Sequence, residues 1–260
     1  MTTMLNEVLY DNDRLFSLLK FSKKEYLEDL RKGKLYLNNF QYFRDVEKKE
    51  KRKGQGDAYD LTLKMDNIKW TLSDPESKTI LVNGKGNASM EYKEDYQTHV
   101  FCTTGITSDY LEIIEEDEKT IRAKLVFPEG FKQQILDGFG DHVLIINPGA
   151  FLSAIESAGH SMASNRVKYR NLDLLYSDRV DNFVHGKKER FFEKDNFFKY
   201  QNEYRFVFPS LISDSPIVLD IDNIEKESTL MSVEDFFNLE MSILLLKDIE
   251  ANSELDSDLD

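Results

Sequence analysis

Apolar residues recur at helical spacing and then at strand spacing from the start of this chain. Over 22–33, Tyr26, Leu27 and Leu30 share one helical face, Ser22 and Glu25 have the S-x-x-E spacing of a capping box, and Gly33 follows the last turn. This predicts the first clear element, a helix. In LYLNNFQYF, 35–43, Leu35 and Leu37 share a face, which predicts a strand entered directly from that helix. VEKKEKRKGQG, 46–56, is dense in charge and carries Gly54 and Gly56, so it predicts an exposed loop before Asp57.

Between 61 and 127 the short runs LTLKM, IKWTL, KTILV, HVFCTT and AKLVF predict strands of an antiparallel sheet. Turn chemistry separates them at Ser73-Asp74-Pro75 and at Asn83-Gly84-Lys85-Gly86. Beyond Pro128 the pattern predicts a short helix in EGFKQQILDGFG, a buried strand in HVLII and a helix begun by Pro148. Strands NRVKY, EYRFVF and PIVLDI, a capped helix over 232–239 and the apolar run MSILLL complete the series. Interspersed helices and strands without a repeat or a proline-rich linker predict an α+β fold. It is a single domain over 1–249, a mixed and mostly antiparallel sheet with flanking helices.

Composition adds an environment. At 260 residues and 40% hydrophobic the chain can bury a large core, and 18 Phe with 12 Tyr set it apart from disordered sequences. It has neither an 18-residue apolar run nor a basic-then-apolar leader, and Cys102 is its only cysteine. These features predict a cytoplasmic protein with no membrane span and no disulfide. The net charge of −14 is uneven, because 211–260 holds two lysines against 14 acids. Its end, EANSELDSDLD over 250–260, predicts a disordered acidic tail. Such a tail is a solvated end, or a strip of carboxylates that imitates phosphates before a basic partner. The overall charge argues against duplex DNA as a partner.

The common signatures for nucleotide triphosphates, dinucleotides, zinc hydrolysis, serine hydrolysis and calcium are missing. His99, His142, His160 and His185 are scattered, so no sequence-local metal site is expected, and Cys102 in VFCTT reads as a small buried thiol. Two constellations remain. The first is QYFRD with GQGD: Arg44 beside Tyr42 can grip a phosphate or carboxylate while a ring stacks on a base, or it can pair with Asp45, Glu47 or Asp57 to close the loop. The second is FFEKDNFFKYQNEYRFVF, in which Glu203 and Arg205 share one strand face and Tyr204 and Phe206 the other. That charged face orients a ligand in a cleft or forms a cross-linked exterior. Over 164–205, ten Lys and Arg interleave with aromatics, a composition that also suits nucleotide stacking.

In order, LFSLLKFSKKEYLEDLRKGKLYLNNFQYFRDVE, GQGD, FGDHVLIINPGAFLSAIESAG, VKY and FFKYQNEYRFVF resemble an uncharacterised family of bacterial and phage proteins over roughly 15–225. They are more distantly similar to a broad bacterial domain of unknown function, marked by a late YQxEYR-type strand and found near mobile elements and defence genes. A weaker resemblance is to ADP-ribosyltransferases. It implies Arg44 as a holder of the NAD pyrophosphate, Thr103 or Thr104 as the middle hydroxyl, and Glu203 as the catalytic carboxylate. Gln201 then completes a Q-x-E pair, although Arg205 stands where a second acidic or amide residue is usual.

Two functions follow. In one, a phage- or mobile-element-associated protein acts in phage–host conflict, in defence or anti-defence, by binding a protein partner or a nucleotide-type ligand without turnover and without a required cofactor. In the other, an NAD-consuming ADP-ribosyltransferase-like enzyme uses Arg44 and Glu203 as catalytic residues. The remaining candidates, Tyr42, Asp57, Thr103, Thr104, Tyr200, Gln201 and Arg205, are ligand contacts in either case. Oligomeric state is left open.

Overall fold

A computed structural model describes residues 3–9, 14–50 and 54–244, with Glu50 as backbone only. The first elements are β1 (Ser17–Ser22), α1 (Lys24–Arg31), β2 (Lys34–Asn39), α2 (Phe40–Glu50), β3 (Leu63–Ser73), β4 (Ile80–Met90) and β5 (Thr98–Ile106). Then come β6 (Leu111–Glu116), β7 (Thr120–Leu125), α3 (Phe131–Gly138), β8 (His142–Ile146), α4 (Pro148–Ser157), β9 (Ala163–Arg166), β10 (Lys168–Arg170) and α5 (Ser177–Val184). The last are β11 (Glu193–Asp195), β12 (Glu203–Ile212), β13 (Ile217–Asp220), β14 (Ser228–Ser232), α6 (Val233–Phe236) and β15 (Glu240–Leu244). The fold is α+β. Among the described residues no helix is long and apolar enough to cross a membrane.

The main sheet runs β13-β2-β5-β1-β8-β14, and β12 joins β5 to β9. β5 is its centre: β2 and β1 pair in turn along one edge, and β12 covers the other from Glu203↔Thr104 to Val207↔Val100. Every pairing in this sheet is antiparallel. Smaller units are the three-stranded β15-β7-β6, the parallel pair β10-β11 and the two-stranded ribbon β3-β4.

Side chains alternate across a strand, so the register sorts the core into faces. One face carries Leu18, Phe101, Leu144 and Phe206, closed by Leu27 and Leu30 of α1 and by Phe151 and Ile155 of α4. The other is divided. Leu19 and Val143 pack with Ile121 and Ala123 of β7, Phe131 of α3 and Phe236 of α6. Val100 and Val207 pack with Phe40 of α2, Leu61, Tyr96 and Phe191. Between these two clusters, on the same face, lie Thr104 opposite Glu203 and Cys102 opposite Arg205.

Several sequence expectations are corrected by tertiary pairing. A strand, β1, precedes the first helix, and Ser22 belongs to it, paired with His142. Ser22 is therefore no cap, and Lys23 takes that position with no side-chain bond. β2 ends at Asn39, whose Oδ1 accepts the Tyr42 N–H at 2.9 Å, so 40–50 forms a helix where a strand end and an exposed loop were expected. The runs LTLKM and IKWTL fuse into β3, and Asn83–Gly86 continues β4 instead of turning. Gly84 tolerates this because the Trp70 indole crosses it: a Cβ there would lie 2.5 Å from Trp70 Cζ2. NRVKY divides into β9 and β10, and the helix expected over 232–239 is the short α6. The acidic stretch 250–260 lies outside the described residues.

Other local signals hold. Asn147 Oδ1 accepts the Ala150 N–H at 3.1 Å ahead of Pro148, an N-cap that starts α4 beneath the first core face. Asn147→Ala is expected to cost about 1 kcal/mol, measured as a lowered thermal midpoint. Gly33 adopts φ +90° as the chain leaves α1, and a Cβ there would lie 2.3 Å from the Ile221 carbonyl oxygen.

Candidate functional site

A charged side chain on a strand face sandwiched between two apolar clusters must find partners there, since an unpaired buried charge is costly. Arg205, 1% exposed, and Glu203, 5% exposed, do so. Arg205 Nη1 and Nη2 donate to the two Asp60 carboxylate oxygens at 3.1 and 2.7 Å, and Nη1 also donates to the Phe191 carbonyl at 2.7 Å. Its Nε donates to Glu203 Oε1. Glu203 Oε2 accepts from Lys194 Nζ at 2.9 Å, and the Glu203 N–H donates to the Tyr169 hydroxyl at 2.8 Å. Lys194 Nζ also donates to Gln201 Oε1 at 3.0 Å and lies over the Phe198 ring. Gln201 Nε2 reaches the Gly54 carbonyl and, at 3.3 Å, the Tyr200 hydroxyl.

This arrangement decides the protonation states. Burial alone would raise the Glu203 pKa, but Arg205 and Lys194 outweigh it and hold the carboxyl well below the usual range. Asp57 differs. It is 3% exposed, its Oδ1 accepts the Tyr59 N–H at 2.9 Å, and its Oδ2 has no partner among the described residues. Burial, and then the charge of Asp60, push its pKa up to about 6. Arg205 and Lys194 thus stand among three carboxylates, of which Asp57 keeps its proton to a higher pH than an ordinary aspartate. Burial also raises the Cys102 pKa and keeps it a thiol.

Arg44 belongs to a neighbouring cluster. It sits in α2, 4% exposed, and its Nη1 donates to the Asp60 carbonyl and, at 2.8 Å, to Thr62 Oγ1. Its Nη2 meets Glu91 Oε1 at 3.3 Å, and the guanidinium lies 4.2 Å from the Tyr96 ring centroid. Arg179 of α5 donates from Nη2 to the Thr62 carbonyl at 2.6 Å and pairs with Glu193 at 3.0 Å. Three buried arginines from α2, α5 and β12 therefore hold the segment around Asp60 and Thr62. Leu61 between them is forced to φ +59°, a left-handed conformation that a leucine adopts only under constraint.

The pinned loop presents Tyr59, 51% exposed, on the outer surface. Lys64 Nζ lies 3.3 Å from its ring centroid. A hollow of about 490 Å³ opens here, walled by Arg44, Lys48, Tyr59, Lys64, Asp66 and Glu91 among others. Glu203 is not in that wall. Arg44 and Glu203 are linked through Asp60, whose backbone Arg44 holds and whose carboxylate is held by Arg205, the partner of Glu203.

The other predicted contacts disperse. Tyr42 lines a second hollow of about 300 Å³ with Asn38, Asp45 and Pro216. Thr103 Oγ1 donates to the Tyr204 carbonyl at 3.1 Å, whereas Thr104 faces Glu203 across the ladder. The exterior reading of Glu203 and Arg205 is corrected: both are core residues. So is the pairing of Arg44 with Asp45, Glu47 or Asp57, since Asp45 bonds Gln41 and Lys49 and Glu47 accepts the Ala58 N–H. Sequence reasoning missed Asp60, Lys194 and Arg179 as network members and Tyr59 as the presented ring. A single charge between aromatic and apolar neighbours, as in Tyr59-Asp60-Leu61, was the available signal. No family model, curated protein or solved structure matches this chain.

Proposed function

We propose that this chain is a non-catalytic binding module for a nucleotide-type ligand, acting in the phage–host conflict that its sequence resemblance implies. The observation that carries this reading is Tyr59, held outward by a loop that three buried arginines fix from within, with Lys48 and Lys64 at its sides. A ring displayed on a constrained loop loses little entropy when a base stacks on it, and the lysines supply countercharge for phosphates. The hollow's volume lies in the range of small-ligand sites. Turnover of NAD would need a carboxylate free to face the ribose, whereas both Glu203 oxygens are engaged by Arg205 and Lys194. A protein partner carrying a phosphate or an acidic side chain would meet the same groups.

Calorimetric titration with ATP and with NAD tests the reading. Saturable binding is expected, weakened roughly 5- to 150-fold in Tyr59→Ala, the equivalent of a stacking contribution of about 1–3 kcal/mol. Lys48→Ala combined with Lys64→Ala should weaken it further and reduce its salt dependence. Nicotinamide release from NAD that disappears in Glu203→Gln while the fold persists would establish the enzyme instead. Binding indifferent to Tyr59→Ala would remove the proposed platform.

A further inference from the structure

The β3-β4 ribbon has an apolar face that no other strand or helix of the described residues covers toward its tip. On β3 this face runs from Leu63, 1% exposed, through Met65 and Ile68 to Trp70 and Leu72. A register shift between Met65 and Ile68 preserves the sequence of apolar positions, and their partners on β4 end in Gly86, Gly84 and Val82. The face carries no charge along its length and is continuous with the core at its root. Toward the tip it opens to solvent: Trp70 is 48% exposed, Leu72 57% and Val82 49%, and a second register shift beyond Leu72 ends the face there by pairing Ile80 with Ser73. The opposite face has Lys69 directly across from Lys85 and Thr71 across from Asn83. Among the described residues these two strands pair with each other and with no third strand, so both outer backbone edges are unpaired. A two-stranded ribbon of this kind is marginal in water by itself.

We infer that the ribbon is a dimerisation arm whose uncharged face packs against the same face of a second copy of this chain. Electrostatics favours this surface over the rest. Over 63–90 the chain has four lysines against three acids, so the charge of −14 lies elsewhere. Each strand has 11 residues, which makes the ribbon about 36 Å long. Its tip can therefore meet a second copy several screening lengths, each about 8 Å, away from the acidic body. Shape supports a two-fold contact. The Trp70 indole over Gly84 forms a ridge, while a Cβ at Gly86 would meet nothing within 4 Å and leaves a notch beside Ile68. A ridge and a notch on one patch are what a self-complementary interface requires. The exposed parts of these side chains amount to roughly 400 Å², within what single monomers leave bare as a patch. Two such patches joined bury about 800 Å², the size of a weak, concentration-dependent contact.

Trp70 is the only tryptophan, so its emission reports this face alone. Sedimentation velocity of the full chain from low to high micromolar concentration should show the mass rising from 30.4 kDa toward twice that value. Trp70 emission should shift to the blue and acrylamide quenching should fall several-fold in step with the dimer fraction. Leu72→Lys with Val82→Lys should return the chain to a monomer with water-exposed Trp70 at an unchanged thermal midpoint extrapolated to low concentration. Lys69→Glu, on the other face, should leave the dimer intact. A chain that stays monomeric at high concentration overturns the inference. So does a dimer that survives the paired lysine substitutions, or a Trp70 shift that arises only when a different protein is added.

Discussion

Arg205→Leu is expected to lower the free energy of unfolding by about 3–5 kcal/mol, seen as a lower urea midpoint at constant slope. The guanidinium makes four hydrogen bonds, to both Asp60 oxygens, the Phe191 carbonyl and Glu203. Its loss leaves Asp60 and Glu203 buried against Lys194 alone, and the cost is mainly that of carboxylates stranded away from water. Arg205→Lys should recover little of it, because an ammonium cannot bridge the two Asp60 oxygens in plane. Glu203→Gln should cost less than Arg205→Leu, since the amide keeps the shape and one acceptor. Because Asp60 anchors the loop, ligand affinity at Tyr59 should fall with Arg205→Leu even though Arg205 does not reach the hollow. A stability loss below about 1 kcal/mol would mean that water reaches this network and that the loop is held by other contacts.

Maximum stability is expected on the acidic side of neutrality. Asp57 has its pKa raised from 3.8 to about 6 in the folded chain. The folded form therefore retains a proton that the unfolded form gives up, and the stability this contributes is lost as pH rises through about 6. Glu203 acts in the opposite sense: its pKa is depressed, so its contribution is present above its ordinary value of 4.5 and is lost as pH falls below that. The Asp57 contribution is full only below its ordinary value of 3.8 and the Glu203 contribution only above 4.5, so together they place the optimum between 3.8 and 4.5. The displacement at Asp57 is on the order of 3 kcal/mol. Asp57→Asn removes the titrating group while its amide oxygen can still accept the Tyr59 N–H. It should raise the thermal midpoint at pH 8 and flatten the profile between pH 3.8 and about 6, the interval in which Asp57 makes the wild-type midpoint decline. A wild-type midpoint that climbs from pH 4.5 to about 6 would show that Asp57 is solvated.

Local chemistry made a good part of this fold legible. Pro148 and Asn147 start a helix wherever the chain places them, because the missing proline N–H and the asparagine oxygen both answer needs of a first turn. The alternation in EYRFVF is a strand on any sheet and puts Glu203 and Arg205 on one side. Where local signals failed, a longer-range contact had overruled them. Ser22 has a capping side chain, but its backbone is in the ladder with His142. Gly84 and Gly86 have turn character, but Trp70 lies across the ribbon at that point.

The site divides along the same line. Sequence by itself determined which residues carry charge into apolar surroundings: Arg44 among aromatics, and Glu203 and Arg205 on a strand flanked by phenylalanines. It also determined that those charges would have to be neutralised, since hydration is lost on burial whatever the fold. Which groups neutralise them was decided only by tertiary structure, because Asp60 and Arg205 are 145 positions apart and no spacing rule links them. The same contacts bury the pair as a clamp on Asp60 and leave Tyr59 exposed on the outer side of the loop that the clamp holds.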